Sequence, residues 1–216
     1  MKRENNTNCI YSLKIFFFQI IRGNIRIRAA YTFLVKKMKG KLFLWSELIG
    51  APVIYCIATL LHFVYALSGG TALSILFGSV NESVWEHVKI FAAGYVLWAA
   101  LELLWNKLPF RKFLVAKVFS LYLLSVMMIG FHYLYTLIAG RNIFWIDIIS
   151  SLVFVCGAQA LSFRLTVTSK DTARFFHEAA MLLMLYFLMF FAFTIFPPKT
   201  DLFRDPGSGG YGIPVQ

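Results

Sequence analysis

The sequence has few charged residues for its length. Asp, Glu, Lys and Arg together make up 14% of the 216 residues, whereas 59% are hydrophobic and 23 are phenylalanine. The mean hydropathy is +0.70. A soluble domain of this size needs far more polar surface than that. The shortage of charge therefore excludes an ordinary soluble protein and indicates a surface that faces lipid.

Cysteine is also scarce, with three residues, Cys9, Cys56 and Cys156. No CxxC or related spacing occurs, so the sequence indicates no disulfide framework. Cys56 and Cys156 fall within apolar segments, and free cysteine behaves as a small apolar residue. We therefore expect both of these side chains to be buried.

Acidic residues are outnumbered by basic ones, 10 to 21, which gives a formal net charge of +11. Such a charge can indicate a nucleic-acid partner, but here the basic residues lie at the ends of apolar segments, as in membrane proteins. We therefore exclude nucleic acid and predict the lipid bilayer as the partner. A membrane-protein partner and the oligomeric state stay open.

Five apolar runs approach the length of about 20 residues that a membrane-spanning helix needs. Each run is expected to be helical, because a backbone in lipid must satisfy its own hydrogen bonds. The predicted spans cover about residues 42–67, 84–105, 113–138, 143–165 and 175–196. The predicted fold class is therefore an all-α, polytopic transmembrane helical bundle.

The chain divides into three parts around this bundle, which covers residues 42–196. Residues 1–41 are basic, with ten Lys and Arg, and their apolar run at 15–21 is too short to span. We expect an interfacial helix there, or a true start at Met38, in which case the segment is not translated. Residues 197–216 form a polar tail that either folds back over the bundle or stays disordered.

The basic residues also predict the orientation of the bundle. With the N-terminus inside, 17 Lys and Arg fall on the inner side and 4 on the outer side, as the positive-inside rule expects. This count places Lys117 among the inner residues and Lys89 among the outer ones. Five spans then place the C-terminus outside, so that the tail is extracytoplasmic.

The densest group of polar residues is the stretch 81–87, Asn-Glu-Ser-Val-Trp-Glu-His. Ser83 and Glu86 have the spacing of a capping box, in which a hydroxyl and a carboxylate satisfy the first N–H groups of a helix. A structural interpretation of the stretch therefore needs only these two residues. Glu82 and His87 are left without a role in capping.

Six ionisable residues fall at one predicted level, near the outer ends of the spans. They are His62, Glu82, Glu86, His87, His132 and Asp147. Polar residues within spans usually face the bundle interior or a water-filled cavity, so we predict an outward-facing polar cavity. The inner level carries a smaller cluster of Glu47, Glu102, His177 and Glu178, without the two-histidine spacing of helical zinc motifs.

Three functions are compatible with the predicted cavity. The first is a zinc site, with candidate ligands His62, His87, His132 and Asp147. Zinc-bound water would attack an ester or amide, with Glu82 or Glu86 as the candidate catalytic base. The second is a small transporter that handles protons or ions, and the third is a non-enzymatic scaffold or partner-binding protein.

Four short segments carry a resemblance to a known family. They are Leu61-His62-Phe63, the stretch 81–87, Phe196-Pro197-Pro198 and Leu202-Phe203-Arg204-Asp205-Pro206. Over about residues 40–213 the chain resembles a family of small bacterial multi-pass membrane proteins described as a domain of unknown function. The resemblance implies a bacterial cytoplasmic membrane, favours a start at Met38, and brings no activity.

A second resemblance rests on the combined Asp, Ser and His residues, which are similar to those of intramembrane ceramidase-type hydrolases. Proteins of that group resemble seven-helix bundles with paired histidines on a late helix. In this chain the late histidine, His177, is single and lies at the opposite predicted face.

Overall fold

The computed structural model describes residues 40–106, 108–168 and 170–214. These residues form six α-helices and no β-strand, which confirms the predicted all-α class. The predicted basic segment at residues 1–41 lies almost wholly outside the described residues.

The helices follow one another with short connections. Their bounds are α1 Gly40–Leu67, α2 Ala72–Phe77, α3 Val84–Asn106, α4 Phe110–Ala139, α5 Phe144–Val167 and α6 Phe176–Ile195. Short 3-10 turns at Thr172–Phe175 and Asp201–Phe203 precede and follow α6. Apart from α2, each helix is long and apolar enough to cross a membrane, counting the 3-10 turn with α6. The prediction of five spans is confirmed, with boundaries within about three residues.

The two ends of the helical bundle carry different polar residues. The end that holds His62, His87 and His132 is called the histidine end here, and the end that holds Glu47 and Glu102 is called the opposite end. Helix α3 is the most enclosed, since 61% of its apolar window is buried, against 22% for α1 and for the last span. Charged residues on α3 are therefore more often buried than those on its neighbours.

Lys117, counted above as an inner-side residue between spans, is instead buried within α4. It is 5% exposed. Its Nζ lies 2.9 Å from Glu47 Oε2 and 2.5 Å from Glu102 Oε2, and it donates to Gln159 Oε1 at 3.1 Å. The predicted position was wrong because two carboxylates from other helices supply the counter-charge that lets an ammonium group be buried.

Lys89, counted above as an outer-side residue, is also buried. Its Nζ donates to Glu86 Oε2 at 2.6 Å, Ile75 O at 2.9 Å and Thr194 Oγ1 at 3.0 Å, so all three N–H donors are used. The Ile75 carbonyl belongs to α2, a short helix that hydropathy did not predict. Removing Lys89 and Lys117 takes one residue from each side of the charge count, so the predicted bias remains.

The two cysteines of the described residues lie on the exterior of the bundle. Both Cys56 and Cys156 are exposed, and the prediction that they are buried was wrong. The exterior of a membrane bundle is itself apolar, so a small apolar side chain is as well accommodated there as inside.

The tail packs on the histidine end through Phe203 and Gly212, which is the first of the two predicted alternatives. The ring centroid of Phe203 lies 5.0 Å from that of Trp85. The side chain of Asn81 donates to the carbonyl of Gly212 at 2.8 Å. The carboxylate of Asp205 accepts from Ser208 Oγ at 2.6 Å and closes a tight turn.

Candidate functional site

A cavity of about 390 Å³ lies at the histidine end, among α1, α3, α4 and α5. Five of the six residues predicted at this level line it, namely His62, Glu82, His87, His132 and Asp147. They come from four helices and one loop. Their spacing in the sequence therefore did not predict how far apart they lie in the folded protein. The common cavity arises because each residue lies near the end of its helix.

The sixth predicted residue, Glu86, does not line the cavity. It is 2% exposed and accepts from the backbone N–H of Val80 at 3.1 Å and from Thr194 Oγ1 at 2.9 Å, besides its pair with Lys89. Successive residues of a helix point about 100° apart, so His87 faces the cavity while Glu86 faces the packed interior. The carboxylate of Glu86 is therefore a structural counter-ion.

His62, Glu82 and His87 form the tightest group in the cavity wall. His62 Nε2 lies 3.4 Å from Glu82 Oε1, and His87 Nε2 lies 3.6 Å from Glu82 Oε2. The centroids of the two imidazole rings are 5.2 Å apart. One nitrogen or oxygen atom from each residue falls within a set whose members are all within 4.8 Å of one another.

The hydrogen bonding of His87 fixes which ring nitrogen carries the proton. Its Nδ1 lies 2.9 Å from the backbone carbonyl of Ser83. A carbonyl oxygen can only accept, so Nδ1 must donate. In the neutral ring Nε2 then presents its lone pair toward Glu82, as in zinc sites where the second ring nitrogen of a ligand histidine donates to a carbonyl.

The spacing of these atoms differs from that of ordinary hydrogen bonds. Distances of 3.4 and 3.6 Å exceed the usual range of about 2.7–3.2 Å for N–H···O bonds. Two ligands of one tetrahedral zinc ion, each at about 2.1 Å from the metal, are about 3.4 Å apart. The two distances, to different oxygens of Glu82, are compatible with a metal site and also with ion pairs between Glu82 and protonated imidazoles.

The loop that carries Glu82 is held in place from both sides. Asn81 Oδ1 accepts from the N–H of Ser83 at 2.9 Å, while its amide nitrogen is bonded to the tail. The Asp205 carboxylate lies near the backbone of Glu82. The Glu82 carboxylate, although 58% exposed, therefore extends from a fixed backbone.

Only one of the two reciprocal hydrogen bonds of a capping box is formed. Ser83 Oγ accepts from the N–H of Glu86 at 3.3 Å, as an N-cap residue does. The reciprocal bond, from the Ser83 N–H to the Glu86 carboxylate, is replaced by the bond to Asn81. Capping accounts for Ser83 but not for Glu82 and His87, which line the cavity.

His132 and Asp147 form a separate pair in the wall of the same cavity. His132 Nδ1 lies 3.1 Å from Asp147 Oδ1, and the two side chains are 17% and 34% exposed. The four predicted zinc ligands are thus divided, with His62 and His87 beside Glu82, and His132 bonded to Asp147. A carboxylate that orients an imidazole in this way is common in acid–base pairs.

The predicted cluster at the opposite end is divided too. Glu47 and Glu102 share Lys117, and they accept further bonds from Ser162 Oγ at 2.7 Å and Ser46 Oγ at 2.9 Å. His177 and Glu178 are exposed and take no part in this network. Sequence reasoning missed Lys117, because a basic residue near a helix start is usually solvated.

The fold and the cavity together define a multi-pass, all-α membrane protein with a histidine–carboxylate pocket at one end. The chain belongs to a family of unknown function, DUF6512, which matches residues 35–213. This confirms the predicted membership of an uncharacterised family. No curated protein and no solved structure matches the chain.

Proposed function

We propose that this protein binds one zinc ion at its histidine end, through His62 Nε2, His87 Nε2 and the carboxylate of Glu82. The observation that carries the proposal is the 3.4 and 3.6 Å spacing of these atoms around Glu82, together with the His87 proton held on Nδ1. Three protein ligands leave a fourth position for water, as in catalytic zinc sites.

The reaction that this site supports best is hydrolysis of an ester or amide. Zinc lowers the pKa of bound water and makes it a nucleophile near neutral pH. The pair of His132 and Asp147 supplies the base, because Asp147 holds the proton on His132 Nδ1 and leaves Nε2 to accept another. In this assignment Glu82 is a ligand rather than the base, and Glu86 has no catalytic role.

The zinc site is tested by elemental analysis of the detergent-purified protein. The variant is His62→Ala/His87→Ala, and the matched control is His177→Ala, an exposed histidine at the opposite end. We expect about one equivalent of zinc in the wild type and in the control, and none in the double variant. Equal zinc content in all three proteins would refute the site.

A finding of no metal in any of the proteins would favour the alternatives, a scaffold or partner-binding protein, or a small transporter. The location rests on the family resemblance, and the orientation rests on the positive-inside count. We propose a bacterial cytoplasmic membrane with the N-terminus inside, which places the histidine end outside. Cysteine-accessibility labelling on cells, with single cysteines at Lys199 and Lys170, tests this orientation, since only the first would react with an impermeant reagent.

A further inference from the structure

The cavity is polar at the histidine end and mainly apolar deeper in the bundle, where Ser151 on α5 is a polar lining residue. On three helices, a histidine near the helix end has an aromatic residue or methionine on the same cavity wall, one or two turns deeper. The pairs are His62 and Tyr55 on α1, His87 and Phe91 on α3, and His132 and Met128 on α4. At 1.5 Å per residue, the apolar members lie about 6–10 Å below the histidines.

The apolar side chains close the deep part of the cavity. The rings of Tyr55 and Phe91 are 5.4 Å apart and packed edge to face. Phe91 and Val88 are 8% and 1% exposed. The mouth, by contrast, is formed by exposed residues, since Phe144 is 68% exposed and Glu82 is 58% exposed. A ligand that fits this gradient has a polar head at the mouth and an apolar part pointing inward.

The charges of the cavity wall restrict the head of such a ligand. Among the described residues that line the cavity, two are acidic, Glu82 and Asp147, and none is Lys or Arg. With Glu82 holding the proposed zinc ion and Asp147 bonded to His132, the wall offers no further cation to pair a phosphate or sulfate head. An uncharged ester or amide needs no such cation.

The volume of the cavity limits the size of the apolar part of the ligand. A methylene group is about the size of a water molecule, which occupies about 30 Å³ in the liquid. The cavity of about 390 Å³ therefore holds about a dozen non-hydrogen groups. After the head and its attacking water, this leaves room for one chain of about eight carbons.

We propose that the substrate is an uncharged ester or amide of a single straight-chain fatty acid, whose acyl chain enters the apolar half of the cavity. The proposal rests on the zinc site proposed above. In the reaction, water adds to the carbonyl carbon and the bond from that carbon to the leaving oxygen or nitrogen breaks. The proton from water passes to the leaving group, which gives a fatty acid and an alcohol or amine.

The experiment measures binding of straight-chain alkanoyl hydroxamates, which chelate zinc through a small polar head. The zinc-loaded full chain in micelles is titrated with hydroxamates of two to twelve carbons. Burial of each methylene is expected to tighten binding about fourfold, up to about eight carbons, beyond which affinity levels off. Absence of any dependence on chain length would overturn the proposal while leaving the zinc site intact.

Two neighbouring methionines on α4 provide a matched pair of variants. Met128 lines the deep part of the cavity, one turn below His132, whereas Met127 is 42% exposed on the exterior. Met128→Trp should fill the apolar half and abolish the gain with chain length, while binding of the two-carbon hydroxamate and the zinc content stay unchanged. Met127→Trp should behave as the wild type.

The same chain-length dependence in all three proteins would mean that the hydroxamates merely partition into the micelle, and the proposal would be refuted. If Met128→Trp does not fold, Phe91→Trp, from α3, enlarges another side chain of the same deep wall and is judged by the same criterion. A wild type that holds no zinc would refute the proposed function itself, and this inference with it.

Discussion

Glu86 and His87 are neighbours in the sequence but belong to two different kinds of polar environment. Glu86 lies in a network with Lys89, Thr194 and the N–H of Val80, where every donor of the ammonium group has an acceptor. His87 faces a cavity where its Nε2 lies 3.6 Å from Glu82 Oε2, beyond ordinary hydrogen-bond distance. The comparison shows that polar density alone does not distinguish a buried structural network from the wall of a cavity.

The buried networks are costly to assemble and strongly dependent on each member. Removing two charges from water costs several kcal/mol per ion, and only good geometry and added hydrogen bonds offset it. The pair of Lys89 and Glu86 meets this condition, as does Lys117 with its two carboxylates. The charged cavity residues are partly exposed, so replacing one of them should cost less folding free energy. Stability and ligand binding should therefore respond to different substitutions.

The largest effect on stability is expected for Lys117→Met. The substitution leaves Glu47 and Glu102 buried without a counter-charge, which should cost about 3–5 kcal/mol and lower the Tm in detergent strongly. Lys112 lies on the same helix, and its ammonium group donates to the carbonyls of Thr168 and Lys170, just after α5. Lys112→Met removes these bonds and should cost about 1 kcal/mol. Similar losses in both variants would contradict the comparison.

A triple variant sharpens this first prediction. Adding Glu47→Gln and Glu102→Gln to Lys117→Met removes the unpaired charges, so most of the lost stability should return. A triple variant as unstable as Lys117→Met would mean that packing rather than charge dominates. Zinc content should be unchanged in all of these proteins that fold, because the network lies at the opposite end.

An intermediate effect is expected for Ser83→Ala. Loss of the N-cap hydroxyl should cost about 0.5–2 kcal/mol of stability, measured by thermal unfolding. The backbone carbonyl that holds His87 Nδ1 is unaffected, so zinc binding should persist. Loss of zinc together with stability would show that the cap and the cavity are not separable.

The smallest effect concerns the turn at Asp205, outside the spans. Burial by itself would raise the pKa of this carboxyl, but hydrogen bonds from Ser208 Oγ and from the N–H groups of Gly207 and Ser208 bring it below its ordinary value of 3.8. A carboxyl with a lowered pKa stabilises the fold above its unfolded pKa, and this contribution disappears as the pH falls through the folded value. The turn should therefore loosen only under acidic conditions, below pH 3.8.

This prediction is checked by NMR, from the amide proton shift of Gly207 as a function of pH. A midpoint below 3.8 is expected in the wild type, and a higher midpoint in Ser208→Ala, which loses one of the stabilising bonds. A wild-type midpoint at or above 3.8 would contradict the role given to these bonds.

The helices and the level of the cavity were predictable from the sequence, because both depend on position along an apolar segment. His62, His87, His132 and Asp147 each lie near one end of a helix, so antiparallel packing brings them to one level. The side to which each residue points was not predictable at the start of α3. There a shift of one residue separates Glu86, in the interior, from His87, in the cavity.

The buried lysines were not predictable, because their partners are distant in the sequence. Glu47 lies 70 residues before Lys117, and Thr194 lies 105 residues after Lys89. A local pattern of charge and hydropathy does not show which distant residue will pair with a buried lysine. The division of the proposed ligands into one group around Glu82 and one pair of His132 and Asp147 likewise depends on loop geometry that only the fold supplies.

The bond between Lys89 and Thr194 has a consequence for biosynthesis. Helix α3 leaves the ribosome long before α6 does, so the hydroxyl that completes the Lys89 network is not yet made when α3 meets the translocon. The tail residue Pro206, which forms part of the cavity wall, is made later still. A nascent chain that stalls before α6 therefore carries an incompletely bonded cation in the membrane and an unfinished pocket.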